Sequence, residues 1–152
     1  MTNNPYAYDK AKFHHDSIAQ YGLADEHAYN HTTYFLSWLI KRHLISDFFE
    51  SESDNLVKEF RAGLTTINKV YEYWDCCLVS DMLNDEGNAF AMAYFDFAKG
   101  EYLKDYQKHL QKDLPSEFHV PYTVDNERVI HAIIDQRYQQ WKNPKQWWQF
   151  WK

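Results

Sequence analysis

Glycine and proline are scarce in this chain, with four of each in 152 residues. So few turn-forming residues exclude a sandwich or barrel of many tight hairpins and favour helices. They also leave little material for a phosphate cradle, and neither G-x-G-x-x-G nor a P-loop occurs. The G-x-S-x-G nucleophile elbow is absent as well. Cysteine is limited to Cys76 and Cys77. Adjacent cysteines do not readily form a relaxed disulfide with each other, and two free thiols suit a reducing compartment. Lys and Arg number 16 against 22 Asp and Glu, a net charge of −6, which argues against a general nucleic-acid binder. No apolar run approaches the roughly 18 residues of a membrane span. The opening MTNNPYAYDKAKFHHD lacks the apolar centre of a signal peptide. These absences predict a cytoplasmic protein without a membrane or nucleic-acid partner.

What is present is an aromatic load of 18%, comprising 12 Tyr, 10 Phe and 6 Trp. Such residues stabilise cores and also anchor interfaces. The length fits one helical domain over 1–152. Charge is uneven along it: residues 47–105 carry 13 acidic and 5 basic side chains, net −8. A middle of that sign suits a basic partner, or a solvated helical surface.

Apolar spacing predicts an all-α fold, an irregular bundle of about three principal helices with several short ones. The principal helices are expected at Asp25–His43 with Asp25 as N-cap, at Asn84–Ala98, and at Asp125–Trp141. Shorter helical stretches are expected at Asp9–Gln20, closed by Gly22, at Asn55–Ala62, closed by Gly63, at Ile67–Trp74, capped by Thr65 or Thr66, and at Tyr102–Gln111. Asp47–Ser53 reads as a turn. His119–Val124 is the one segment with extended character. The expected core joins Phe35, Trp38, Leu39, Phe90, Ala93, Tyr94, Ile130 and Ile134. Pro144 should end the last helix near Asn143, leaving a Trp-rich tail over 143–152.

Catalytic signatures are missing. His27 and His31 are spaced i, i+4, which would place both rings on one helix face, but H-E-x-x-H is absent and no third or fourth ligand accompanies them. No metal, cofactor or catalytic residue is therefore expected. Cys76 and Cys77 lack any thiol-enzyme context and read as small fillers. The run Asp81-Met-Leu-Asn84-Asp85-Glu86-Gly87-Asn88 does not match a calcium loop and reads as a helix cap, with Asn84 or Asp85 accepting amides and Glu86 favouring the dipole.

Five strings occur in order: Tyr8-Asp9-Lys-Ala11-Lys-Phe13-His14, His31-x3-Phe35-Leu36-Ser-Trp38-Leu39-Ile40, Leu83-Asn84-Asp85-Glu86-Gly87-Asn88-Ala89-Phe90-Ala91, Tyr102-Leu103-x-Asp105-Tyr106 and Ile134-Asp135-x-Arg137-Tyr138-x2-Trp141. Together they resemble a family of small bacterial proteins that opens with Y-D-x-A-x-W-H and carries an L-N-D-E-G-N-A-F-A block. This chain departs from that pattern at Phe13, where the box has Trp, and in lacking a glycine-rich stretch after His14. The resemblance implies an immunity protein for a secreted toxin of the type VI or Rhs sort, and hence no enzyme. With the acidic middle region, it implies a basic cognate toxin as partner, contacted by Tyr71, Glu72, Tyr73, Asp75, Asp81, Asp85 and Glu86. The alternative is a small-ligand-binding protein or enzyme using a polar cluster of His14, His31 and Asn84–Asn88.

Overall fold

The computed structural model describes residues 5–144, which are mostly helical with one small sheet. Strand β1 (Ala7–Lys10) leads through a 3-10 turn into α1 (His15–Tyr21). A second 3-10 turn, Asp25–Ala28, precedes α2 (Asn30–Lys41). Helices α3 (Asp47–Glu52), α4 (Leu56–Arg61) and α5 (Ile67–Tyr73) follow, then strand β2 (Cys77–Val79). The chain continues through α6 (Asp85–Tyr94), α7 (Tyr102–Tyr106) with a π turn at Gln107–Gln111, and finally α8 (Val124–Lys142). Expected residues 145–152 of the Trp-rich tail lie outside the described residues.

Helix α2 is the axis of the molecule, since every residue from Asn30 to Ile40 is buried. Helices α4, α5 and α8 pack on it. An all-round buried helix must satisfy its polar side chains internally. Asn30 donates to the Val120 carbonyl at 3.2 Å, Thr32 donates to Asp9 Oδ2 at 2.5 Å, and Ser37 donates to the Tyr34 carbonyl at 2.8 Å. Trp38 donates its indole N–H to Asp135 on α8 at 2.8 Å.

The core is an aromatic stack around Phe35 and Phe90. Phe35 lies 4.7 Å from Phe95 and 5.5 Å from Tyr102, while Phe90 lies 5.4 Å from Trp38 and 5.2 Å from Tyr138. Centroid separations in this range suit offset and edge-on aromatic pairs. The expected core holds except at Ala93, which is exposed. The buried face of α6 runs through Gly87, Phe90, Ala91 and Tyr94, the i, i+3, i+4, i+7 stripe that follows from a start at Asp85.

Several expectations are corrected. The fold is not purely helical: Asp9 and Lys10, expected to begin a helix, lie instead in β1, antiparallel to β2. Ala7 pairs with Val79 and Asp9 with Leu78, so Tyr8 is an extra residue in a bulge. The bulge breaks the alternation of the strand and buries both Tyr8 and Asp9, which is why the pattern did not read as extended. Asp25 is not a cap but opens the 3-10 turn behind Ala24, and the helix restarts after Tyr29, whose φ is −131°. The Tyr29 ring packs 5.2 Å from Tyr71 and its hydroxyl donates to Glu72, contacts that favour the break over continuous helix. Asp47–Ser53 is not a turn, because the Ser46 hydroxyl accepts from the Phe49 amide and caps α3. Over His119–Val124 the backbone is extended at Val120 and Thr123, as expected, but it joins no sheet, and Thr123 caps α8. Gly22 and Gly63 end α1 and α4 with positive φ, and Thr66 caps α5, as expected.

Trp38 fills the centre of this stack and is 2% exposed. Trp38→Ala is expected to lower unfolding free energy by about 3–5 kcal/mol in denaturant titration, far more than a change at exposed Met92.

Candidate functional site

Strand β1 presents side chains to two separate environments. Asp9 points inward, where it is 1% exposed, and meets both His14 and His31. His14 Nε2 lies 2.7 Å from Asp9 Oδ1, and His31 Nε2 lies 3.2 Å from Asp9 Oδ2. Thr32, next to His31 on α2, donates to the same Oδ2. The two imidazole rings stand 4.9 Å apart, nearly perpendicular, and Phe118 packs against both. Each of Asp9, His14 and His31 offers one ligand-type atom, and the three atoms lie within 4.8 Å of one another.

The electrostatics of the cluster follow from its burial. Desolvation opposes ionisation of Asp9, but hydrogen bonds and charge from His14 and His31 outweigh it and hold the carboxyl well below the usual carboxylate range. Among the described residues no Lys or Arg reaches Asp9, so the two imidazoles are its only cationic-capable partners. Tyr8, beside it in the bulge, donates to Asn88 Oδ1 at 2.5 Å, and burial pushes its hydroxyl up to about 12.

On the other side of β1 a groove of about 1020 Å³ opens to solvent. Lys10, Lys12 and His15 line it from β1 and the turn and helix that follow, and Glu72, Asp75 and Cys77 line it from α5 through β2. The chain turns sharply from α5 into β2 through Asp75 and Cys76, both non-glycine residues at positive φ, 57° and 53°. Such conformations cost on the order of 1–2 kcal/mol each and are held by surrounding structure, here in part by the Cys76 amide donating to the Tyr71 carbonyl. Both cysteines are free. Burial and then the carboxylate of Glu72 push the Cys76 thiol up; burial also raises Cys77. Neither environment generates a thiolate nucleophile.

The residues singled out in the sequence fall into three places. Glu72 and Asp75 line the groove, whereas Tyr73 is 52% exposed and is not one of its lining residues. Tyr71 is 0% exposed and belongs to the core, so it is withdrawn as a contact residue. Asp81 and Asp85 are exposed but line no part of the groove. Glu86 accepts from the Tyr138 hydroxyl and from Lys142, which lowers its carboxyl and ties it to α8.

The proposed grouping of His14 and His31 with Asn84–Asn88 is half realised. The histidines meet, but among the described residues no hydrogen bond or ring contact joins them to that block. Asn84 Oδ1 instead accepts from the Gly87 amide at 2.7 Å, capping α6. Asn88 donates to the carbonyls of Ser80 and Leu83. Gly87 allows the Leu44 carbonyl to approach where a Cβ would stand 2.3 Å away. The block is a joint between α6 and the chain after α2. His27 is not one of the clustered histidines either: its Nδ1 lies 2.6 Å from the Phe118 carbonyl oxygen, because the helix break removes the i, i+4 relation to His31. Asp9 is the cluster member the sequence reading missed. Its signal was the Asp9–His14 pair inside one short box, at a spacing of five that fits no helix face.

Two mutations separate the cluster from the cap. Asp9→Ala leaves the buried His31, the partly exposed His14 and Thr32 without their acceptor and is expected to cost about 3–5 kcal/mol in thermal or chemical unfolding. Asn84→Ala is expected to cost about 1 kcal/mol, the usual size of an N-cap loss, without disturbing the histidine environment seen by NMR.

No helix among the described residues is long and apolar enough to cross a membrane. No curated protein and no solved structure matches the chain. Residues 7–120, from β1 through the segment before α8, match the model of a domain of unknown function, DUF7832, and the chain belongs to that family.

Proposed function

We propose that this protein is a cytoplasmic immunity protein that binds and neutralises a cognate secreted bacterial toxin of the type VI or Rhs sort. The observation that carries the reading is that Glu72 and Asp75 line an open concavity, with the half-exposed Tyr73 between them in sequence. It is supported by the sequence boxes that resemble immunity proteins and by the net −8 of residues 47–105. A protein that works by occupying a toxin needs a rigid scaffold, complementary charge and an exposed aromatic anchor, and no catalytic machinery. The partner in this reading is basic where it meets Glu72 and Asp75, and carries an acceptor group toward Lys10 and Lys12, which line the same groove. Asp81 and Asp85 extend the acidic field that steers encounter; Tyr71 and Glu86 play no part.

The test is co-expression and pull-down with the product of the neighbouring gene, followed by kinetics. Charge reversal at Glu72 and Asp75 together is expected to slow association by about tenfold or more at low salt, with the effect shrinking as salt rises. Tyr73→Ala should act mainly on dissociation. A neighbour that is no toxin, together with failure to rescue cells from any toxin encoded nearby, ends this reading.

A further inference from the structure

We infer that Asp9, His14 and His31 form a binding site for a divalent transition-metal ion of the zinc class, with two imidazole nitrogens and one carboxylate oxygen as ligands. The site stands apart from the toxin-binding reading and does not depend on it.

The geometry is close to what such an ion needs. Around a tetrahedral zinc with bonds of about 2.0–2.2 Å, neighbouring ligand atoms lie roughly 3.3 Å apart. Here His14 Nε2 lies 2.7 Å from Asp9 Oδ1 and His31 Nε2 lies 3.2 Å from Asp9 Oδ2. The three ligand atoms lie within 4.8 Å of one another, and the side chains must shift from these hydrogen-bonded positions to admit an ion. Three protein ligands leave a fourth position for water or a ligand, the pattern of reactive rather than purely structural zinc.

The chemistry of the ligands points the same way. Asp9 is a buried carboxylate with no Lys or Arg partner among the described residues, and such a charge is stabilised by pairing or by coordinating a metal. Metal binding requires the lone pair of each Nε2, hence the Nδ1–H tautomer of each ring. At His31 that change breaks no hydrogen bond at Nδ1, which is buried and without a partner in the protein, so one unpaired ring nitrogen is exchanged for another. The ligands also have orienting support. Thr32 donates to Asp9 Oδ2 at 2.5 Å, and an outer-shell donor of this kind fixes a ligating carboxylate. Phe118 and Phe97, 5.7 Å from His31, make an apolar wall. The side chain of His31 is 2% exposed while that of His14 is 18% exposed, so His14 is the point of entry from solvent.

Three elements contribute to the site. Asp9 comes from β1, His14 from the end of the following 3-10 turn, and His31 from the first turn of α2. Their convergence depends on the Tyr8 bulge, which turns Asp9 toward α2. That convergence is why the residues do not form a recognisable spacing in the sequence.

The experiment uses the untagged full chain, stripped with a chelator and dialysed. Zinc is titrated by calorimetry, and cobalt(II) is added to a second sample as a spectroscopic probe. One equivalent of zinc is expected to bind, with a rise in melting temperature. Cobalt should produce the intense visible absorption of a four- or five-coordinate site. His14→Ala, at the partly exposed ligand and therefore compatible with folding, is expected to lower zinc affinity by more than about 100-fold and to abolish the thermal shift, exceeding the range for losing an outer-shell partner. Thr32→Val should weaken binding by about tenfold. His109→Gln, on the π turn, should change nothing. Absence of stoichiometric zinc binding by the wild-type chain would overturn the inference. So would binding that survives in both His14→Ala and a folded His31→Gln, or that falls equally in His109→Gln.

Discussion

Helix α2 has no solvent-facing side between Asn30 and Ile40, so each polar group on it needs an internal partner, and those partners dictate where the other segments lie. His31 and Thr32 draw Asp9 inward, Asn30 and Tyr34 fix the carbonyls of Val120 and Pro121, and Trp38 holds Asp135 on α8. The apolar residues between them would accept many packings; the hydrogen bonds accept few. A buried polar group left unpaired costs about 1–3 kcal/mol, enough in aggregate to select one arrangement of short helices that have little intrinsic stability of their own.

The parts of the fold legible in the sequence are those set by local chemistry. Gly22, Gly63, Thr66 and Asn84 each act where their residue type predicts, because a cap or a left-handed stop involves only the next few amides. The parts that were not legible are set at long range. Nothing near Tyr8 announces a strand, since its partner lies some seventy residues on and the bulge erases the alternation. Nothing near Asp75 and Cys76 announces a left-handed turn, since glycine is absent and the conformation is imposed by α5 and β2. The continuous helical pattern from Asp25 to His43 conceals a break at Tyr29 that only its packing on Tyr71 explains.

The candidate sites show the same division. Acidic residues could be counted from the sequence, but not which of them the fold would spare for contact: Glu72 and Asp75 reach the groove wall while Glu86 is tied to Tyr138 and Lys142. Tyr71 and Tyr73 are two residues apart in one helix, and that rotation alone separates a core side chain from a surface one. The histidine pair sought by helical spacing was His27 with His31. The pair that meets is His14 with His31, joined through a carboxylate on a strand.

The pairing of β1 with β2 also sets an order of assembly. During synthesis the first strand has no partner until Cys77–Val79 has left the ribosome, and closing a loop of that length carries an entropic cost. Asp9 is therefore anchored in its ladder, facing His31, only once β2 has emerged. Until then α2 exposes two polar residues, His31 and Thr32, on a side that would otherwise be apolar. Water can occupy that side of the nascent helix without the penalty of a bare hydrophobic face, which lessens its tendency to associate with other chains before the strand arrives.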